Sequence, residues 1–305
     1  MTTERFAYPL LPAFRHGAQT PWGGDALARL FHKAIPDART GEAMEASTLE
    51  GLESRLEDGR PLSALTGGPL PLLLKLLDAR EPLSVQVHPD DAYAAAHEGG
   101  RQGKAEAWVI LHAEPGARLV YGLLPGSNPR AAGQAALERC LRWVTVQAGD
   151  VLYIPAGMVH AIGGGLVLYE IQQASDITYR FWDWGRLGAD GRPRELHWEK
   201  ACDVARAGLQ LSPLRPRMPK GGGVVRCLET LHFTLDRAYV RGETVLAPCA
   251  DFRFFTALGE GALAQNGVRI PVRAGQTLYV PATERPIRAL GQFDALISAP
   301  AMTGT

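Results

Sequence analysis

A stretch at 149–162, GDVLYIPAGMVHAI, returns in degenerate form as GQTLYVPATERPIR at 275–288, and no other feature constrains the fold as much. Each copy opens on Gly, passes through a short apolar run and reaches Pro six positions later; where the first copy has His160, the second has Pro286. Turn residues bracketing a short apolar run mark a strand between two turns. One reading takes Gly-x5-Pro as ordinary punctuation of β proteins. The preferred reading takes the repeat as two β-units of one architecture, the first carrying chemistry and the second stabilising or covering it. Around the first copy, the chain from Trp143 to Gly185 is a succession of short strands with glycine turns. That pattern favours an antiparallel barrel or sandwich over a parallel βαβ sheet.

The rest of the chain is organised around these units. Residues 1–65 form an N-terminal segment that packs on the barrel, with a Trp22-Gly23-Gly24 turn and a helix from about Asp25 to Lys33. Glu45 to Leu56 reads as a second short helix, ended by Asp58-Gly59. A metal-binding unit is expected over 66–195, a helix and linker over 196–223 and the degenerate β-unit over 224–305. Asp90 to His97, Asn128 to Arg142 and Leu196 to Ala207 read as helices.

Composition excludes several functions. Lys plus Arg equals Asp plus Glu, 32 of each, so nothing points to nucleic acid or an anionic membrane as partner. A small anionic ligand needs only a few local cations. The four cysteines form no CxxC pair and read as reduced packing residues. The N-terminal stretch lacks the apolar run of a signal peptide, and no stretch approaches the ~20 apolar residues of a membrane span. The expectation is a soluble, cytoplasmic protein.

Chemistry concentrates in four residues. Val85-Gln86-Val87-His88 alternates apolar and polar, which sends Gln86 and His88 to one face of a strand. Glu106 lies in GKAEAW and His160 after the tight Pro155-x-Gly157 turn. Each alone is weak, since a histidine after a turn is more often a surface or core residue. Together, two imidazoles, a carboxylate and an amide oxygen suit zinc or another borderline divalent metal, with room for water or substrate. Lys104 shares a strand face with Glu106, and Ser84 with Gln86. Lys75 interrupts the apolar LLLKLL, where an ammonium is costly unless paired or facing a polar pocket. Arg180 stands among aromatics in ITYRFWDW, as either a packed structural arginine or an anion clamp. A metal ringed by these groups describes a pocket for a phosphorylated, oxygen-rich small molecule.

Two resemblances follow. Gly149, Pro155, Gly157 and His160 match the Gly-x5-Pro-x-Gly-x2-His motif of cupin barrels. The ordered series PLLLKLLDA, LSVQVHPDD, GKAEAW, GDVLYIPAGMVHAI and EIQQASDITYR resembles the short bacterial form of the type I mannose-6-phosphate isomerases. The resemblance implies a mainly β chain of two cupin-like antiparallel β-barrel or jelly-roll domains with a few helices. It implies a zinc-dependent aldose–ketose isomerase that interconverts mannose 6-phosphate and fructose 6-phosphate through a cis-enediol or enediolate, with one zinc per chain. Gln86, His88, Glu106 and His160 match the zinc ligands, and Arg180 matches an arginine assigned a catalytic role. Lys75 and Ser84 match substrate-binding residues. Lys104 and Glu170 match pocket residues that, with a metal-bound water, are the candidates for the proton-shuttling base. The chain departs from larger fungal-type relatives at Ile162, where they carry a tyrosine, and lacks their extra helical domain.

Two other functions compete: a sugar-phosphate-binding or regulatory cupin without turnover, and a metal-dependent cupin oxygenase, which would more typically use additional histidines. The expected partner is a small sugar phosphate; oligomeric state is not readable.

Overall fold

The computed structural model describes residues 5–187 and 191–301. Among them the strands form three antiparallel sheets of nine, six and five strands. The six-stranded sheet is the middle layer. Its strand Leu72–Ala79 turns Leu72, Leu74 and Leu76 to one apolar core and Leu77 and Ala79 to another. A strand buried on both faces reads as a continuous apolar run, which is why LLLKLL shows no alternation.

One face of that sheet packs on the nine-stranded sheet through Tyr169, Ile171, Phe233, Phe254 and Leu296. There the Tyr169 hydroxyl meets Ser298 Oγ at 2.6 Å. The other face packs on the five-stranded sheet through Trp108, Leu119, Tyr121, Leu152 and Leu168. The back of the five-stranded sheet is covered by the helices Asp91–His97 and Trp198–Val204 and by the 3-10 segment Gln134–Cys140. The fold is thus mainly β and antiparallel with few helices, as expected, but its sheets are open sandwich layers and do not close into barrels.

The repeat is real in the backbone. Gly149 N donates to Ile110 O and Gly275 N to Ala257 O, both at 2.8 Å. Ile110 N returns a bond to Asp150 O at 2.9 Å, and Ala257 N one to Gln276 O at 3.0 Å. Even the turn cap repeats, with Gln147 N donating to Asp150 Oδ2 and Arg273 N to Gln276 Oε1. The strands Val151–Ile154 and Thr277–Val280 follow.

Helix expectations fared unevenly. Asp90 caps the helix Asp91–His97 by accepting from Tyr93 N at 2.9 Å. The Asn128 to Arg142 stretch is broken at Gly133, whose φ is +78°, into the short helix Pro129–Ala132 and the 3-10 segment, and Leu141 already begins a strand. The helix read over Glu45 to Leu56 is absent. Thr40–Ala46 is a fully buried strand instead, followed by a loop and the strand Arg55–Leu56. Only Glu45 and Ala46 of the expected span lie in that strand; across the loop that follows, Ser54 N donates to Ser47 O and Ser54 Oγ accepts from Ser47 N, both at 2.9 Å, so local serine bonds replace helical ones. Arg55–Leu56 pairs within the nine-stranded sheet and Thr40–Ala46 within the six-stranded one, so the N-terminal segment is woven into both layers.

Candidate active site

The space between the five- and six-stranded sheets opens into a polar cleft of about 780 Å³, its mouth included. Two rows of side chains face each other across it. In the five-stranded sheet Arg180, Gln86 and His160 are consecutive register partners on three neighbouring strands. In the six-stranded sheet the corresponding row is Lys75, Glu170 and Trp108. Glu106 opens the strand Glu106–Ala113 opposite Ile154, and His88 follows the strand Val85–Val87.

The four residues expected to hold a metal converge. Ligand atoms of His88, Glu106 and His160 all lie within 4.8 Å of one another, and the three residues are buried. His88 Nε2 stands 3.5 Å from Glu106 Oε2 and His160 Nε2 3.3 Å from Glu106 Oε1. The Gln86 amide touches His160 Nε2 at 3.2 Å, while its oxygen accepts from Ser84 Oγ at 3.2 Å. Each imidazole has its other nitrogen committed: His88 Nδ1 donates to Ile177 O and His160 Nδ1 to Met158 O, both at 2.8 Å. Those bonds fix the tautomers; the His88 Nε2 lone pair then faces Glu106, and that of His160 lies between Glu106 and the Gln86 amide nitrogen.

Lone pairs facing a carboxylate repel unless a cation lies between them. His88 Nε2 and Glu106 Oε1 are buried with no hydrogen-bond partner, a cost a protein does not normally bear. Burial pushes both histidines down, His88 well below its usual value and His160 to about 4, with Lys104 adding to the shift. Both are neutral near pH 7, as a metal ligand must be. Burial raises the Glu106 carboxyl, and the Lys104 ammonium, 2.8 Å from Oε2, pulls the other way. The residues fit a divalent cation with nitrogen and oxygen ligands.

The turn before His160 requires its glycine. Gly157 adopts φ +85°, and an added Cβ would lie 2.9 Å from Val204 O. Gly157 N donates to His88 O at 2.9 Å, so the turn that delivers one imidazole is tied to the residue that carries the other.

The remaining expected residues also line the cleft. Lys75 Nζ lies 3.1 Å from Glu170 Oε1 and 3.7 Å from Glu42 Oε1. Burial works against its charge, but the two carboxylates together outweigh it and hold the ammonium above its ordinary value. Burial likewise opposes the Glu170 carboxylate; Lys75, Lys104 and the Trp108 indole, which donates to Glu170 Oε2 at 2.8 Å, turn the balance and lower it. Arg180 makes no guanidinium hydrogen bond or ion pair with the described residues, although burial and Arg194 both disfavour its charge. Ile162 is buried at the cleft wall.

Among the solved structures, the mannose 6-phosphate isomerase of Bacillus subtilis superimposes with a TM-score of 0.87 at 29% identity, covering 97% of this chain and all of that one. A Salmonella typhimurium enzyme solved with fructose 6-phosphate and zinc gives 0.75 at 16% identity over 98% of this chain, a likeness of fold. The family model described as "Phosphomannose isomerase type I, catalytic domain" matches residues 53–102. In sequence, mannose-6-phosphate isomerase ManA of Bacillus subtilis is 31% identical over 98% of this chain and 99% of its own length. The Streptococcus mutans enzyme is 32% identical over 91% and 94%. The chain belongs to the mannose-6-phosphate isomerase family. It is an enzyme of the aldose–ketose isomerase class, and the cupin fold read from Gly149, Pro155, Gly157 and His160 is the fold of its relatives.

For a mannose-6-phosphate isomerase the cleft holds more than the sequence disclosed. Glu42 bridges Lys75 and Arg15, whose Nη1 donates to Glu42 Oε2 at 3.2 Å. Trp22 and Arg194 reach the cleft from distant segments. A polar residue in the buried stretch TGEAMEA was the available signal for Glu42; Arg15 and Arg194 carried none. No helix among the described residues is long and apolar enough to cross a membrane.

Proposed function

We propose that this isomerase interconverts mannose 6-phosphate and fructose 6-phosphate through a cis-enediolate, with one zinc ion held by Gln86, His88, Glu106 and His160. The convergence of two tautomer-locked imidazoles on one buried carboxylate, whose Oε1 has no hydrogen-bond partner, carries the reading. Zinc held there would supply Lewis acidity to the oxygens of the bound sugar.

The chain's own groups divide the remaining work. Ser84 orients Gln86 through its amide oxygen. Arg180, beside Gln86 and free of a carboxylate partner among the described residues, faces the charge that develops on the enediolate oxygens. Lys104 sits against Glu106 and limits the negative charge of the ligand set. Of the candidate bases, Lys104 has its ammonium against Glu106 Oε2 at 2.8 Å and is committed to the ligand set. Glu170 is held ionised with Oε2 fixed by Trp108, and its Oε1 takes the proton from one carbon and returns it to the neighbour. Lys75, beside Oε1, keeps that carboxylate in place between the two transfers.

A proton parked on a carboxyl exchanges with solvent. Mannose 6-phosphate converted in D2O by the zinc-loaded protein is therefore expected to yield fructose 6-phosphate with a measurable fraction of deuterium at C1 by NMR. Conversion with complete retention of protium would contradict the proton-transfer route, and no conversion by folded, zinc-bound protein would leave a binding protein in its place.

A further inference from the structure

Arg194 reaches the cleft beside Arg180, from the segment that follows the five-stranded sheet. It is gripped by Asp183, whose two carboxylate oxygens accept from Nε and Nη2, each at 2.6 Å. Asp183 is only 4% exposed and does not itself line the cleft. A carboxylate that takes one N–H from Nε and one from Nη2 leaves the other Nη2 proton and both Nη1 protons unspent. Arg186, 3.8 Å from the same carboxylate, is anchored in turn by donating to Pro82 O. Two guanidiniums, those of Arg186 and Arg194, thus share one buried carboxylate whose charge Arg180 also feels, and the exposed Glu195 is the other acid nearby.

Arg194 disfavours the charge of Arg180, an arrangement that an anion between or beside them would relieve. A phosphate monoester carries about −1.5 to −2 charge near neutrality and is matched in shape by a guanidinium fork. Arg15 and Lys75 share Glu42, a carboxylate that itself lines the cleft and would repel an anion, whereas Asp183 does not line it, and Lys104 sits against Glu106. Arg180 lies next to Gln86 and belongs to the reacting end of the substrate.

We propose that Arg194 is the phosphate anchor of the cleft, that Asp183 is its positioning residue, and that the pair sets the preference for phosphorylated over free sugars. This rests on the sugar-phosphate reading of the cleft. It assigns the acid-to-arginine pair a task in binding and none in proton transfer.

The test compares wild type with Arg194→Ala, Arg194→Lys, Asp183→Asn and Arg15→Ala as zinc-loaded, folded proteins. Two readouts are taken: KM and kcat for mannose 6-phosphate, and the Kd for inorganic phosphate by calorimetry. Arg194→Ala is expected to raise KM and the phosphate Kd together by about 10- to 100-fold, with kcat within about threefold. Arg194→Lys should recover only part of the loss, because an ammonium cannot be held bidentately, and Asp183→Asn should show a smaller rise in KM. Unchanged KM and phosphate affinity in Arg194→Ala would overturn the assignment. So would a fall in kcat at constant KM, or a KM effect confined to Arg15→Ala. If wild type binds phosphate but does not isomerise mannose 6-phosphate, the functional reading fails while the phosphate titration still decides the anchor.

Discussion

The segments at 149–154 and 275–280 share a turn, a pair of backbone hydrogen bonds and a side-chain cap, yet only the first leads into the cluster proposed to hold metal. The register makes the difference concrete. Ile154 pairs with Glu106 in the first copy, and its counterpart Val280 pairs with Arg253 in the second. A carboxylate that gathers lone pairs is thus replaced by a guanidinium that would repel a cation. His160 is replaced by Pro286, which has no ligand atom at all. Arg253 is 7% exposed, donates from Nη1 to Ala247 O at 2.8 Å and leaves Nε and Nη2 without partners. The interior of the C-terminal unit is an apolar cluster that includes Phe255, Leu263, Leu278 and Phe293. The scaffold is therefore indifferent to the chemistry; a few side chains at the mouth of the sandwich decide it.

The sharpest way to break this contrast is to remove the acid from the first copy. Glu106→Gln should lose more than about 100-fold in activity together with the metal, since losing a ligand exceeds the 10–100-fold effect of losing its outer partners. Metal content by mass spectrometry and turnover, measured on the same sample, check it. Full metal content with full activity would show that Glu106 is not a ligand.

Arg180→Ala tests whether the row beside the ligands acts on substrate and not on the metal. It should lower kcat by about 100-fold while leaving metal content unchanged. Equal loss of both would make Arg180 a structural support of Gln86.

The smallest effect is expected in the second copy. Arg253→Met removes a buried, half-satisfied guanidinium, so activity and metal content should hold and stability should shift by no more than about 1 kcal/mol in a denaturant titration. A large loss of turnover there would mean that the C-terminal unit takes part in the chemistry.

How much of this was legible in the chain depends on how local each signal is. Gln86 and His88 were readable because a strand alternates, and His160 because Pro155 and Gly157 announce its turn. Lys75 stood out as a charge inside an apolar run, and Glu42 with Lys75 shows what such a charge needs. The strand Thr40–Ala46 went unread because it is buried throughout and its sequence shows no alternation, and Glu42 was missed with it. Arg15 and Arg194 lie in irregular or edge segments far apart in sequence, and only the packing of the sheets brings them to one cleft. The repeat was visible as Gly-x5-Pro, but the pairing of Arg253 with Val280 required the register.

The most direct test follows conversion of mannose 6-phosphate to fructose 6-phosphate in three portions of one preparation: as purified, stripped with a chelator, and stripped then resupplied with zinc. The account predicts turnover that vanishes with the metal and returns with one equivalent of zinc per chain. Undiminished turnover in the stripped protein, with metal shown to be absent, would contradict it.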